Sequence, residues 1–144
     1  MAPDSATLAA SKTSGQKVAH GRAKEPVLVK GRREFFSYRD LGVAGGSAGT
    51  MRAQVMTATQ GLSEPTGWHY HECDGQFVYV LKGWVDLQFE DGRTLRIEEG
   101  DSLFIPGFLR HNEIRTSAEL EILEVSAPGQ MGTKPCDPPA GFKA

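Results

Sequence analysis

The chain has 144 residues, 39% of them hydrophobic and 24% charged, with a formal net charge of −2; this length suits one domain with a real core and no disulfide support. Lys and Arg are scattered, which argues against nucleic acid or an anionic membrane surface as a partner. No apolar run approaches a membrane span, no basic leader with a sustained apolar segment marks a signal peptide, and two cysteines are too few for a disulfide framework, pointing to the reducing cytoplasm.

Residues 1–25 are rich in Ala, Ser, Thr, Lys and Gly and predict a disordered tail, because such a composition buries too little apolar surface to offset its ordering entropy. A β-domain over residues 26–128 follows. Val27-Leu28-Val29 and Glu34 to Tyr38 are strand candidates, and the Gly-rich stretch from Gly42 to Gly49 is a loop. Strands are then expected at Met51 to Thr59 and Trp68 to His71, with Glu72-Cys73-Asp74-Gly75 as a hairpin turn leading into Gln76 to Lys82. Gly83 breaks that run. Trp84 to Glu90 and Thr94 to Glu98 alternate apolar and polar residues around a second Asp-Gly turn, Asp91-Gly92. Ser102 to Ile105, His111 to Arg115 and Leu120 to Ser126 complete the set, and residues 129–144 form a Gly- and Pro-rich extension. Short strands at such regular spacing, with no 3.6-residue apolar stripe, indicate an all-β sandwich or barrel.

Three of the chain's four His carry the main chemical signal. Residues i and i+2 of a strand share a face, so His69 and His71 project together. The turn at Asp74-Gly75 is expected to bring Gln76 back on a neighbouring strand near them, with Val78 and Val80 on Gln76's face and Phe77, Tyr79 and Leu81 opposite. His111 arrives from another strand after the Pro106-Gly107 corner. Three imidazole nitrogens and one amide oxygen suit a divalent transition metal (Fe, Mn, Ni or Zn) with one or two positions left for water or substrate. A single buried His is more often a hydrogen-bonded core residue, but burying two unpaired imidazoles side by side is costly.

Around these residues the sequence resembles the cupin superfamily. Its first motif is similar to Gly67-Trp68-His69-Tyr70-His71 followed by Gln76 and Gly83, and its second to Gly100-Asp101-Ser102-Leu103-Phe104-Ile105-Pro106 followed by His111, over about residues 50–126. The opening glycine lies nearer the His pair than usual, the second motif's glycine is displaced to Gly107, and Arg115 stands where an Asn is usual. The resemblance implies a double-stranded β-helix, a small jelly-roll barrel that is often dimeric. It says little about the reaction, since one scaffold hosts many chemistries. Gln76 replaces the usual Glu, which leaves a divalent site at +2 and favours an anionic chelating substrate. With Gln76 outside the coordination sphere, the three-His site resembles that of diketone-cleaving cupin dioxygenases. With Gln76 inside it, the site looks like those of cupins that isomerise or open unsaturated sugar acids, and of hydroxynitrile lyases.

The expectation is therefore a metal-dependent enzyme acting on a small oxygenated organic anion, with dioxygenase-type cleavage ahead of lyase or isomerase chemistry. The competing readings are a non-catalytic binding cupin and a metal-free epimerase-like cupin. Arg52 is a candidate partner for a substrate carboxylate if its face of the Met51–Thr59 strand lines the pocket; a solvent-facing Arg is the plain alternative. Glu113, two residues past His111, is a candidate general base or support for the metal ligands, against the plain reading of a surface carboxylate. Cys73 and Cys136 read as a turn filler and an exposed thiol. Phe35, Phe36, Tyr38, Trp84 and Phe104 read as core or dimer contacts, and a homodimer is expected.

Overall fold

In a computed structural model, residues 15–31 and 33–142 are described. Eleven strands among them build two antiparallel sheets. Sheet one runs β1 (Val27–Lys30), β2 (Phe36–Asp40), β3 (Arg52–Ala58), β10 (Leu120–Ala127), β5 (Gly75–Lys82), β8 (Ser102–Pro106). Sheet two runs β11 (Gly132–Pro135), β4 (His69–Glu72), β9 (His111–Thr116), β6 (Trp84–Phe89), β7 (Thr94–Glu98). The two inner faces pack together as a jelly roll, which is the all-β architecture expected.

Alternation along each strand decides what goes inside. On β5, Gln76, Val78 and Val80 are buried while Phe77, Tyr79 and Leu81 are exposed. On β6, Val85, Leu87 and Phe89 point inward. These residues join Met56, Ala58, Ile97, Ile105, Leu120 and Ile122 in one core. Phe36 and Tyr38 pack against its edge. Phe104 instead stands on the outer surface at 63% exposure, which removes the core reading for it.

The segment between His71 and Gln76 differs from the expected hairpin. β4 lies in sheet two and β5 in sheet one, so the turn at Asp74 carries the chain from one sheet to the other. Its hydrogen bonds show why. Asp74 N–H donates to Ala127 O on β10 at 2.7 Å, while His71 O accepts from Phe108 N–H at 2.9 Å. The turn is thus held at one end by β10 of sheet one and at the other by the loop between β8 and β9. The close approach of Gly107 locks the corner, since a Cβ there would run into Cys73 O. Gln76 therefore reaches the interior from the opposite sheet. Gly83 makes a second change of sheet, between β5 and β6. The Asp91-Gly92 turn is a true hairpin, with β6 and β7 paired from Trp84↔Glu98 to Gln88↔Thr94.

The first 14 residues of the expected disordered tail lie outside the described residues. Residues 16 and 17 run beside the helical turn α1 (Val43–Gly46), with Lys17 N–H donating to Gly46 O at 2.8 Å. The Gly- and Pro-rich extension contributes β11, which pairs with β4 from Gly132↔Glu72 to Pro135↔His69. Among the described residues, no helix is long and apolar enough to cross a membrane.

Candidate metal centre

His69 and His71 project inward from β4, and His111 stands directly across from His69 on β9. The three ring centroids are 4.5–5.2 Å apart. One ligand atom from each ring falls within 4.8 Å of the others, close enough for a single ion. His69 and His111 are buried.

In each ring Nδ1 is already engaged. His69 Nδ1 lies 2.7 Å from Gly67 O, His111 Nδ1 lies 3.0 Å from Leu109 O, and His71 Nδ1 lies 2.9 Å from Thr133 Oγ1. A carbonyl can only accept, so His69 and His111 carry their proton on Nδ1 and keep Nε2 as a lone pair. That tautomer is the one a metal ligand needs. Gly67 has φ +95°, a backbone setting that disfavours other residues, and its N–H donates to Asn112 Oδ1 at 3.0 Å. Asn112, the neighbour of one His, thus fixes the carbonyl that orients another.

Gln76 faces this group from sheet one. Its side chain is buried, and Oε1 accepts no hydrogen bond among the described residues. A buried amide oxygen without a donor costs about 1–3 kcal/mol. A cation supplies what that oxygen lacks, so the donor set fits a divalent ion: three neutral imidazoles with one neutral oxygen in reach of the same interior.

Glu113 shares the inward face of β9 with His111, and its Oε2 lies 3.5 Å from His69 Nε2. The same oxygen accepts from Thr66 Oγ1 at 2.6 Å. Burial pushes this carboxyl up, but the Thr66 hydroxyl, together with the positive charge that His69 and His111 carry when protonated, more than offsets that and holds it below the usual carboxylate range. Burial holds His111 below the usual imidazole range, against the pull of Glu113. Arg52 and Gln54, on β3, line the same cavity of about 280 Å³ with His69, His71, Gln76, Glu113 and Glu124. Arg52 therefore sits on the pocket face of its strand.

Gln54 shares Arg52's face of β3, as the alternation of that strand implies, whereas Glu124, Thr133 and Thr66 carry no site signal in the sequence beyond the phase of Glu124 on its strand. Glu124 lies on β10 opposite Gln54 on one side and Val78 on the other, and Gln54 Nε2 donates to its Oε2 at 2.9 Å. Burial, followed by Glu113's charge, outweighs the Gln54 amide and Arg52, and raises this carboxyl above its ordinary range. The one visible sign was its phase: Leu120, Ile122, Glu124 and Ser126 share the inward face, and Glu124 alone among them carries charge. Thr133 gave no sign, because a strand in a Gly- and Pro-rich stretch has no propensity signature.

Cys73 is buried beside the corner, and burial raises its thiol. Cys136 is half-buried rather than exposed, and its N–H donates to Trp68 O at 3.0 Å. A larger groove of about 960 Å³, lined by Trp68, Gln88, Asn112, Ile114 and Cys136, touches the site through His69, Thr66, Gly67 and Thr133.

Residues 54–126 match the cupin domain family (Cupin_2). A polyketide synthase protein, CurC, of Streptomyces cyaneus is 33% identical over 67 residues, a stretch covering 46% of this chain and only 40% of that protein. The fold is similar to that of KdgF from a Halomonas species, with a TM-score of 0.66 at 16% identity over 79% of this chain and 96% of that one. It is also similar to the polyketide cyclase RemF of Streptomyces resistomycificus, with a TM-score of 0.63 at 20% identity over 90% and 87%. The match across the two motif regions, the jelly roll and the inward three-His group agree: this chain is a member of the cupin superfamily.

Proposed function

We propose that this protein is a metal-dependent enzyme acting on a small oxygenated organic anion, and that its reaction is non-redox chemistry at an enolisable carbonyl, of the lyase, isomerase or cyclase kind. The observation that carries the reading is a neutral donor set, His69, His71, His111 and Gln76, shared between a cavity and the small void beside it, with two carboxyls biased in opposite directions, Glu113 and Glu124, lining both. Bound there, a divalent ion supplies Lewis acidity toward a substrate oxygen. A neutral cage leaves its full charge for an anionic ligand. Arg52 contributes a cation at the mouth for a second anionic group of the substrate, and Glu113 sits beside His69 as a fixed negative charge and proton acceptor. Two carboxyls pushed apart in proton affinity are the usual basis for separate acid and base roles. The likeness to two polyketide proteins supports a di- or polycarbonyl compound as the substrate class.

Dioxygenase-type cleavage is the second reading. One observation favours it: a void of about 40 Å³ under His111, walled mainly by Val78, Val85, Leu87, Ile97, Leu103 and Ile122, suits a small apolar gas molecule. Metal-loaded protein turning over a β-diketone without oxygen supports the first reading. Oxygen uptake matching substrate loss, with none lost anaerobically, replaces it with the second. Binding of the diketone with no turnover under either condition leaves a binding cupin.

We also propose a homodimer through the outer face of β5 and β8, where Phe77, Tyr79, Leu81 and Phe104 are exposed together. Light scattering of a Phe104→Asp variant tests it, a monomeric mass being the expected result. The two free cysteines fit a reducing compartment.

A further inference from the structure

We propose that Glu124 is a catalytic carboxyl that exchanges a proton with the substrate carbon next to its carbonyl, and that the substrate carries a small apolar terminus at that carbon. This deepens the function proposed above and rests on it.

Glu124 stands on sheet one, whereas the three His and Glu113 stand on sheet two. Its side chain lines both the cavity at the mouth and the 40 Å³ void beneath it. Gln54 Nε2 holds Oε2, and Oε1 accepts no hydrogen bond from the described residues. Among the described residues no Lys or Arg forms an ion pair with Glu124, although Arg52 lies close enough for its charge to act on it. A purely structural carboxyl placed among Val78, Ile122 and Met56 would be expected to have a charged partner or a full set of donors. Glu124 has one amide donor and an open oxygen toward the cavity. Such a group is costly to bury and well placed to act.

The void fixes what fits beside that oxygen. Its walls, apolar apart from Gln76, His111, Glu113 and Glu124 itself, leave about 40 Å³, room for a group about the size of a methyl. An anion whose oxygens face the His side therefore presents a methyl or methylene carbon to Glu124. In the step itself, Glu124 Oε1 takes a proton from that carbon. The C–H electron pair becomes the new C=C bond, and the carbonyl π pair moves onto oxygen. Return of the proton to the same or another carbon completes an isomerisation or readies the enolate carbon for bond formation. The raised proton affinity of Glu124 makes it a stronger base when ionised than an exposed carboxylate.

Pyruvate is the probe, an oxygenated anion with a methyl next to its carbonyl. Metal-loaded full-chain protein is incubated with pyruvate in D2O, and deuterium entry into the methyl group is followed by NMR. Oxalate, which has no exchangeable carbon-bound hydrogen, is titrated calorimetrically in parallel. The wild type is expected to speed exchange well above buffer. Glu124→Gln is expected to slow it by about 100-fold or more, with metal content and oxalate affinity unchanged, and Glu124→Asp to fall between. Retained oxalate binding certifies the folded site in each variant. Exchange in Glu124→Gln at the wild-type rate overturns the proposal, as does a wild type that binds metal and oxalate yet adds no deuterium. A wild type that holds neither metal nor oxalate fails the proposed function, and this proposal falls with it.

Discussion

The two ends of the barrel interior are made by the same strands and differ in every chemical respect. Toward one end, β3, β10 and β5 contribute Met56 and Ala58, Leu120 and Ile122, Val78 and Val80. One or two steps along the same inward faces they contribute Gln54 and Arg52, Glu124 and Ser126, and Gln76. The registers Ile122↔Met56 and Glu124↔Gln54 show the switch falling at one level across neighbouring strands. Below that level the interior follows the binary pattern of a jelly-roll core. Above it the pattern breaks together on β3, β10 and β5, whereas β8 and β6 keep Ile105 and Phe89 beside Gln76 and His111. A coordinated break is costly to folding, and such breaks are expected where a site needs them. The closed end supplies stability, and the mouth gives up part of it to gather polar groups in the interior.

His71→Ala is the largest blow to the mouth. It removes one of three grouped imidazoles, and His71 is only half-buried, so the barrel is expected to fold. Elemental analysis after metal loading is expected to fall from one ion per chain to background, with the melting temperature of the metal-free protein almost unchanged. Full metal retention would contradict the ligand assignment. Leu120→Ala strikes the other end. Leu120 is 1% exposed, and truncating such a residue costs about 2–5 kcal/mol. Denaturant unfolding is expected to show that loss while the folded fraction still binds metal with wild-type stoichiometry. If each variant damaged both properties equally, the separation of the two ends would be wrong.

How much of this division was legible beforehand varied by strand. β5 and β6 alternate cleanly, so Gln76's burial with Val78 and Val80, and the outward row Phe77, Tyr79 and Leu81, followed from period two. His69, His71 and His111 were found by type and spacing. β10 was harder, because Leu120-Glu121-Ile122-Leu123-Glu124-Val125 places apolar residues on both faces and hides which Glu points inward. The expected hairpin at Asp74-Gly75 failed for a physical reason. An Asp-Gly turn fixes a change of direction, but whether the next strand pairs with the last or crosses to another sheet depends on distant partners, here Ala127 and Phe108. β11 could not be read at all, since its pairing with β4, not local propensity, makes Gly132–Pro135 a strand.

That missed strand supplies a finer test of the mouth. Thr133 Oγ1 holds His71 Nδ1 at 2.9 Å. Thr133→Val keeps the shape and β-preference and removes the hydroxyl. Loss of such a support for a metal-binding His costs about 10–100-fold in metal affinity, equal to about 1.4–2.7 kcal/mol. Competition with a chelator is expected to show this drop with stoichiometry intact. An unchanged affinity would make β11 a strand that covers the site without tuning it.

The smallest expected effect concerns the boundary between the two ends and is read through pH. Burial, aided by Glu113, raises the Glu124 carboxyl, against Gln54 and Arg52. A carboxyl raised in the folded state keeps its proton where the unfolded chain, at the ordinary value of 4.5, has released it. The folded state then binds more protons, so this group's contribution to stability is present at low pH and is lost as pH rises from 4.5 through the folded value. Glu124→Gln removes the ionisation and keeps an oxygen for Gln54 Nε2. In metal-free protein, the melting temperature of Glu124→Gln minus that of the wild type is therefore expected to climb as pH rises above 4.5, each tenfold of raised proton affinity being worth about 1.4 kcal/mol. A flat difference would mean that water solvates Glu124 well enough to ionise it freely, and the level at which the barrel turns from apolar to polar would lie deeper than Met56 and Ile122.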